Sequence, residues 1–191
     1  MARGNLFVMS APSGAGKNAI LEEVRRREDR VAATVSATTR APRPAEIDGV
    51  DYHFMDLEEF NRRVAAGEFL EWAEVHGNRY GTLRSEMERC LATGRDVILE
   101  LDVQGMRSLR RIMPGVVTVF LMPPSMEELE RRLRFRGTND EDDIRLRLAN
   151  AEREMAARGE YDHVVVNDTI DRAAAEMIQI LSAHREKSVP A

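Results

Sequence analysis

The sequence predicts an α/β fold in which helices flank a mostly parallel sheet. Four short apolar runs, each followed by a segment with helical periodicity, lie at residues 6–9, 96–101, 116–121 and 163–166. Near-continuous apolar runs are typical of strands that are buried on both faces, as in parallel sheets. Strands that alternate with helices in this way indicate an α/β domain, and 191 residues suffice for one well-formed core.

The first apolar run leads into a loop that has the form of a phosphate-binding site. Residues 10–17 read Ser-Ala-Pro-Ser-Gly-Ala-Gly-Lys, and a helical pattern follows, which is the strand–loop–helix order of a P-loop. Gly14 and Gly16 can adopt backbone angles that turn successive N–H groups towards phosphate oxygens. The helix adds its positive dipole end, and the Lys17 ammonium can reach the β- and γ-phosphates.

The loop departs from the strict pattern G-x-x-x-x-G-K-[ST] at both ends. Ala11 stands where the first glycine is expected, and Asn18 stands where a hydroxyl normally coordinates Mg²⁺. The carbonyl oxygen of Asn18 makes it at most a weak metal ligand, directly or through water, and Ala19 offers no substitute. A structural turn without a ligand is the alternative interpretation.

The segment after the first helix predicts an extended loop, because Pro42 and Pro44 exclude a helix. Arg40 and Arg43 lie three residues apart on this loop, and a planar guanidinium pairs with two phosphate oxygens at once. The two arginines can therefore converge on one anion. Two separately solvated side chains are the alternative, and a short strand follows at residues 51–54.

A small antiparallel sheet is predicted next. Asp56, with Glu59 three residues later, forms a capping box for a short helix. Residues 68–75 then alternate roughly between apolar and polar side chains, and a Gly-Asn turn leads to a second strand at residues 79–82.

Two aromatic residues and one carboxylate stand out in the first of these strands. Phe69 and Trp72 are predicted to lie in the core of this segment. Glu71 is flanked by Leu70 and Trp72, so its carboxylate needs a hydrogen-bond donor.

The second half of the chain supplies acidic strand ends and an arginine-rich stretch. Glu100 and Asp102 lie at the end of the strand predicted at residues 96–101, at the edge where parallel sheets bind ligands and where a water on Mg²⁺ could be held. Residues 131–147 are rich in charged side chains, which predicts either a solvated hinge between helices or a lid whose arginines move over phosphates. Arg132 and Arg136 share one helix face, which favours convergence.

Composition and charge exclude several classes of protein. The formal net charge of −5 is unfavourable for binding nucleic acid. No signal peptide is visible and the longest apolar stretch is too short to span a bilayer, so no membrane partner is expected. The single cysteine, Cys90, cannot form an internal disulfide and suits a reducing cytoplasm.

Nine short segments span nearly the whole chain and follow one another in the order found in one enzyme family: residues 10–17, 35–40, 42–44, 48–52, 67–72, 80–82, 102–105, 136–138 and 166–168. Together they resemble guanylate kinases of the bacterial type, which are P-loop nucleoside monophosphate kinases. The resemblance implies a P-loop NTPase-type parallel core flanked by helices, an inserted small mixed α/β GMP-binding subdomain and a helical lid. The expected limits within a single domain are 1–35, 87–126 and 159–191 for the core, 36–86 for the insert and 127–158 for the lid.

The same resemblance implies phosphoryl transfer from ATP to GMP, giving ADP and GDP, with Mg²⁺ as cofactor. The residues implied to bind ATP are Ala11, Pro12, Ser13, Gly14, Ala15, Gly16, Lys17, Asn18, Ala19 and Asn167. Those implied to act in catalysis are Lys17, Arg40, Arg43, Arg132, Arg136 and Arg147. Those implied to bind GMP are Ser36, Arg40, Arg43, Tyr52, Glu71, Tyr80, Thr82 and Asp102.

The chemistry of Glu71 agrees with this assignment, because guanine presents two donors, N1–H and the 2-amino group, whereas adenine presents an acceptor at N1. Two alternatives stay open. One is a catalytically weak or inactive guanylate-kinase-like module that binds GMP or a phosphorylated peptide, which the departures within the P-loop would permit. The other is a related kinase with a different acceptor, which the presence of Glu71, Tyr80 and Thr82 disfavours. The oligomeric state is not indicated.

Overall fold

The computed structural model describes residues 3–32, 34–75, 77–135 and 141–187, and it has the predicted α/β fold. Strands and helices alternate along most of the chain. In order they are β1 (Leu6–Ser10), α1 (Lys17–Arg27), β2 (Val31–Ala32), β3 (Ala37–Thr38), β4 (His53–Phe54), α2 (Leu57–Ala65), β5 (Phe69–Val75), β6 (Asn78–Leu83), α3 (Arg84–Ala92), β7 (Asp96–Glu100), α4 (Val103–Ile112), β8 (Val117–Met122), α5 (Met126–Phe135), α6 (Glu141–Ala156), a 3₁₀ turn (Ala157–Glu160), β9 (His163–Val166) and α7 (Ile170–Lys187).

The chain divides into two units. The first unit comprises Met1–Gly4 and Ala32–Val97, and the second comprises Asn5–Val31 and Ile98–Ala191. The insert expected at residues 36–86 falls in the first unit, which also takes in α3. None of the described helices combines the length and the hydropathy needed to cross a membrane.

A five-stranded sheet with the order β2-β7-β1-β8-β9 holds the P-loop segment at its centre. β1 runs parallel to β8, and β8 runs parallel to β9, as the apolar runs predict. All five residues of β1 are buried. In the core of the second unit, residues of β1 such as Phe7 and Met9 cluster with residues of α1 and α7 such as Ile20 and Met177. The loop after β1 therefore leaves the sheet at the carboxyl end of a central strand, where ligands bind in parallel sheets.

β9 is not buried on both faces, contrary to the prediction for residues 163–166. Val165 is fully buried against α7, but Val164 and Val166 are 39% and 44% exposed. β9 is an edge strand of the sheet, and α7 packs against the face that carries Val165, while the face that carries Val164 and Val166 is exposed. A short apolar run looks the same in the sequence whether one face or both faces of the strand are buried, so the sequence could not show this difference.

The first unit contains a four-stranded sheet with the order β4-β3-β6-β5. β5 and β6 are antiparallel, which confirms that part of the prediction, whereas β3 and β4 are parallel and make the sheet mixed. β3 lies in the segment predicted as an extended loop, directly before its prolines. The core of this sheet is small and includes Phe60 of α2, whose ring stacks on that of Phe69 with centroids 4.4 Å apart.

Trp72 is 43% exposed, so the prediction that it lies in the core is wrong. Phe69 is 6% exposed, which confirms the prediction that it lies in the core. A register shift between Phe69 and Glu71 changes which side chains face the core. Trp72 instead covers the rim of the core, with its ring edge-on to Phe60 and the Arg79 guanidinium carbon 5.0 Å from its centroid.

Local capping sets the beginnings of three helices. Asp56 Oδ1 accepts a hydrogen bond from Glu59 N at 2.7 Å, as predicted for α2, and the Glu59 carboxylate pairs with Arg62 and Arg63. The Ser125 side chain caps α5 and the Asp102 side chain caps α4 in the same manner. Such caps are typically worth about 1 kcal/mol each.

The small core of the first unit makes its aromatic pair a test of packing. We expect Phe60→Ala to lower the free energy of unfolding by about 3–5 kcal/mol, because it removes a fully buried ring from a core with few other members. The control is Leu57→Ala on the same helix, where a half-exposed side chain should cost about 1 kcal/mol or less. Urea unfolding followed by circular dichroism measures both, and equal losses would contradict the assigned core.

Candidate active site

The loop between β1 and α1 surrounds a concavity of about 280 Å³. Its lining residues are Ala11, Pro12, Ser13, Gly14, Gly16, Lys17, Asn18 and Ala19. Gly14 and Gly16 have φ angles of 95° and 91°, which favour glycine. A Cβ on Gly14 would come within 2.9 Å of the Leu129 and Leu133 side chains, and one on Gly16 within 2.4 Å of Asn167 Nδ2. Backbone conformation and available space both require glycine at these two positions.

The start of α1 directs positive charge towards this concavity. Lys17 is the first residue of the helix, and no acidic side chain in the first turn offsets the helix dipole. Lys17 Nζ lies 3.5 Å from Glu100 Oε2 at the carboxyl end of β7. Asn18 is exposed in the same turn. This arrangement suits an anion such as a polyphosphate.

Two residues predicted to face a nucleotide contact the loop itself. Asn167 is only 3% exposed, and its Nδ2 donates a hydrogen bond to the Ala15 carbonyl at 2.7 Å. Arg132 Nη1 lies 3.4 Å from the same oxygen, and Arg132 Nη2 donates to the Asn167 carbonyl at 3.0 Å. The two contacts to Ala15 span 117 and 152 positions and the contact between Arg132 and Asn167 spans 35, so no local pattern could have indicated them.

Of the other two arginines predicted to act from residues 127–158, the structure describes Arg147. Arg147 Nη1 donates to Ser13 Oγ at 2.9 Å, so α6 reaches the phosphate loop. Arg136 lies outside the described residues. Of the three arginines predicted to act from residues 127–158, Arg132 and Arg147 therefore contact the loop.

Asp102 and Glu154 place acidic charge in the same unit as the loop. Asp102 Oδ1 accepts from Gly105 N at 2.6 Å at the start of α4. Glu154 of α6 is half-buried, and this burial raises its pKa; the Asp102 charge raises the pKa further and the Lys17 charge lowers it. Glu154 is therefore close enough to Lys17 and Asp102 for the charges of both to shift its pKa. Sequence analysis missed it because it looks like any other glutamate on a charged helix.

In the first unit, Arg40 is held among aromatic rings and acceptors. Its Nη1 donates to the Ala41 carbonyl at 2.8 Å and its Nη2 to Glu46 Oε1 at 2.9 Å. Its guanidinium carbon lies 5.4 Å from the centroid of the Tyr52 ring, and the hydrogen bonds that Arg40 donates to Glu46 and, more weakly, to Tyr80 raise the pKa of Arg40. Arg40, Tyr52 and Tyr80 are therefore brought together, as the resemblance implies.

Glu46 links this cluster to Arg43, and sequence analysis did not identify it. The Glu46 Oε2 atom accepts from Arg43 N at 2.7 Å, while its other oxygen pairs with Arg40. The intervening Ala45 has a φ of 75°, a left-handed conformation that is unfavourable for alanine. The hydrogen bonds from Glu46 hold the loop in this conformation, and Arg40 lowers the pKa of Glu46.

Glu71 has the donor partner that the sequence predicts. Thr82 Oγ1 donates to Glu71 Oε1 at 2.7 Å, and the two residues lie opposite each other on β5 and β6. Thr82 is buried and Glu71 is half-buried.

Ser36 is half-buried before β3, where its carbonyl accepts from His53 N at 2.8 Å. Seven of the eight residues implied to bind GMP thus belong to the first unit, and Asp102 belongs to the second.

The described residues contain no cluster of three or more His, Cys, Asp or Glu side chains placed to hold a metal ion. Near the phosphate loop, the side-chain oxygens suited to a metal or its waters include the Asn18 amide on α1 and the Glu100 carboxylate that pairs with Lys17. Mg²⁺ commonly keeps several waters and is held largely by substrate phosphates, with only one or two protein ligands. This sparse oxygen set fits a Mg²⁺ ion that arrives with a nucleotide.

Comparison with known proteins agrees with this geometry. The sequence model of the family described as Guanylate kinase matches residues 3–184. The chain is 50% identical over 184 residues to the guanylate kinase of Alkalilimnicola ehrlichii, an alignment that covers 96% of this chain and 91% of that protein. It is also 50% identical over 186 residues to the guanylate kinase of Sphingopyxis alaskensis, covering 97% of this chain and 84% of that protein.

A solved structure shows the same relationship. The crystal structure of guanylate kinase from Anaplasma phagocytophilum matches with a TM-score of 0.73 and 36% sequence identity, over 96% of this chain and 87% of that one. The match extends over both units, including the P-loop and the Arg40 cluster. The chain belongs to the guanylate kinase family.

Proposed function

We propose that this chain transfers the γ-phosphoryl group of ATP to GMP, giving ADP and GDP, with Mg²⁺ bound on the nucleotide. The observation that carries the proposal is the Glu71–Thr82 pair in a chain that also contains a phosphate loop ending in Lys17. A half-buried carboxylate that is oriented by a buried hydroxyl is suited to recognise a base with two adjacent donors.

In this proposal the Glu71 carboxylate accepts from guanine N1–H and from the 2-amino group. Thr82 donates to one carboxylate oxygen, which fixes the side chain while leaving lone pairs for the base. Ser36, in the same unit as Glu71, is proposed to contact guanine as well. Adenine would meet Glu71 with a lone pair at N1, and a mismatch that leaves buried polar groups unpaired can cost about 10⁴-fold in specificity.

The GMP phosphate is proposed to bind Arg40, Arg43, Tyr52 and Tyr80. Arg40 is already fixed by the Ala41 carbonyl, by Glu46 and by the ring of Tyr52. A guanidinium that is ordered before binding loses less conformational entropy when the phosphate arrives.

Phosphoryl transfer then depends on positioning and on charge neutralisation rather than on a covalent intermediate. Lys17 and backbone N–H groups of the loop, such as that of Gly16, hold the ATP phosphates, and Arg132, Arg136 and Arg147 act from α5, α6 and the segment between them. When bound, Mg²⁺ neutralises charge on the phosphates; Asn18 would be a weak ligand and Glu100 would hold one of its waters.

A reducing cytoplasm suits this proposal, because the sequence has one cysteine, which cannot form an internal disulfide, and this residue, Cys90, is buried. Burial raises the pKa of the Cys90 thiol, which makes it less reactive.

Base specificity is tested at Glu71. We expect Glu71→Gln to lower kcat/KM for GMP by about 10²–10⁴-fold, because an amide nitrogen replaces one of two charged acceptors that face guanine donors. The dissociation constant for ATP should stay within about twofold, since the role proposed for Glu71 is the recognition of guanine alone.

The matched control for Glu71→Gln is Glu74→Gln, the same change at an exposed position of the same strand. Steady-state assays with GMP and AMP as acceptors measure the effect. Equal phosphorylation of AMP and GMP by the native protein would refute the assigned role of Glu71.

Metal handling is tested at Asn18. We expect Asn18→Ser to retain activity or raise it somewhat, with the midpoint of the Mg²⁺ titration unchanged or lowered, because serine restores a hydroxyl ligand. Asn18→Ala should raise that midpoint by no more than about threefold, since the phosphates and waters hold most of the ion. If the native protein consumed no ATP in the presence of GMP and saturating Mg²⁺, and Asn18→Ser restored consumption, the native chain would be a binding module.

A further inference from the structure

We infer that Asn167 is a positioning residue for the phosphate loop, and that its side-chain amide orients the loop for ATP phosphates instead of reading the adenine base. The inference rests on the proposed binding of ATP at this loop. It assigns to Asn167, together with Arg132, a clamp on the Ala15 carbonyl.

The first step is the direction of the Ala15–Gly16 peptide. In a planar trans peptide the carbonyl oxygen and the following N–H point in opposite directions. The Ala15 carbonyl accepts from Asn167 Nδ2 at 2.7 Å, so the Gly16 N–H points away from Asn167. Gly14 and Gly16 line the concavity of the loop, whereas Ala15 and Asn167 do not. Asn167 therefore holds the peptide with its donor turned to the phosphate side.

The second step is that Asn167 has little freedom to do anything else. It is 3% exposed, and its backbone N donates to the Met122 carbonyl at 2.8 Å, at the end of β8. A Cβ on Gly16 would lie only 2.4 Å from Asn167 Nδ2, so the amide fills the space that a side chain at residue 16 would need. Gly16 and Asn167 fit each other, and the amide cannot turn outwards without breaking its 2.7 Å hydrogen bond to the buried Ala15 carbonyl, the shorter of the two contacts to that oxygen.

The third step is the second half of the clamp. Arg132 places Nη1 3.4 Å from the Ala15 carbonyl and donates from Nη2 to the Asn167 carbonyl at 3.0 Å. Its Nε donates to Glu128 Oε1 at 2.8 Å, so a carboxylate of α5 fixes the guanidinium. Hydrogen bonds from Arg131 and Arg132 lower the pKa of Glu128 to about 2. The carboxylate is therefore ionised, and able to hold Arg132, throughout the neutral pH range.

The consequence is a distinction between two roles for one residue. A side chain that reads adenine contributes to binding of ATP but not to binding of a bare polyphosphate. A side chain that orients the loop contributes equally to both, because both use the same backbone donors. Binding of the phosphate chain alone thus separates the two roles.

The experiment uses Asn167→Asp, which keeps the size of the side chain and replaces the donating Nδ2 with an oxygen that repels the Ala15 carbonyl. We expect the dissociation constants for Mg²⁺-ATP and Mg²⁺-tripolyphosphate to rise by the same factor, about 10- to 100-fold, while that for GMP stays within about twofold. Isothermal titration calorimetry on the full chain measures all three. The matched control is Asn150→Asp, the same change at an exposed residue of α6, which should alter none of them.

A second readout and a second variant keep the test independent of folding. The backbone amide resonance of Gly16 should shift in ligand-free Asn167→Asp and not in Asn150→Asp. In ligand-free Arg132→Gln the Gly16 amide resonance should also shift, by less than in Asn167→Asp, because this variant removes the longer of the two contacts to the Ala15 carbonyl.

Several outcomes would overturn the clamp. Weaker ATP binding with unchanged tripolyphosphate binding would make Asn167 a reader of the base, and no change in either ligand would remove it from the site. An equal loss of GMP binding together with a lower melting temperature would show a general folding role. Failure of the proposed function is a separate result: a native protein that binds tripolyphosphate but transfers no phosphoryl group to GMP would refute the transfer and leave the clamp measurable.

Discussion

The close fit around the P-loop backbone is the constraint on which the rest of the second unit depends. Two residues with positive φ, Gly14 and Gly16, turn the chain between β1 and α1, and both positions lack room for a side chain. Leu129 and Leu133 of α5 fill the space beside Gly14, and Asn167 fills the space beside Gly16. The loop is thus shaped from outside by residues that follow it by more than a hundred positions, and its own backbone donors are left for a ligand.

Three of the cations assigned to phosphate binding are paired with a carboxylate of the protein. Lys17 pairs with Glu100, Arg40 with Glu46, and Arg132 with Glu128. These pairs are partly exposed, so each contributes little to stability. Their value is to hold flexible side chains in place without burying an uncompensated charge. A phosphate, which carries more negative charge than a carboxylate, can then compete for Lys17 and Arg40 at small cost.

The first unit achieves its recognition pair through the geometry of two antiparallel strands. The register shift before Glu71 and the absence of a side chain at Gly81 let β5 and β6 approach closely, since a Cβ on Gly81 would lie 2.7 Å from the Glu71 carbonyl. Glu71 then faces Thr82 while Trp72 turns to the rim. One irregularity in a short strand therefore decides both the position of the carboxylate and the exposure of the tryptophan.

The sequence by itself determined the features that depend on neighbours within a few positions. These are the order of strands and helices, the glycines of the P-loop, the cap at Asp56 and the need of Glu71 for a donor. Only the tertiary structure decided which faces are covered, and it left one face of β9 and the Trp72 side chain exposed. It also decided which separated groups meet, such as Glu46 with Arg40, and Asn167 with Ala15 across 152 positions. The physical reason is that periodicity and capping are local, whereas burial and long-range hydrogen bonds depend on how elements pack together, which no single segment encodes.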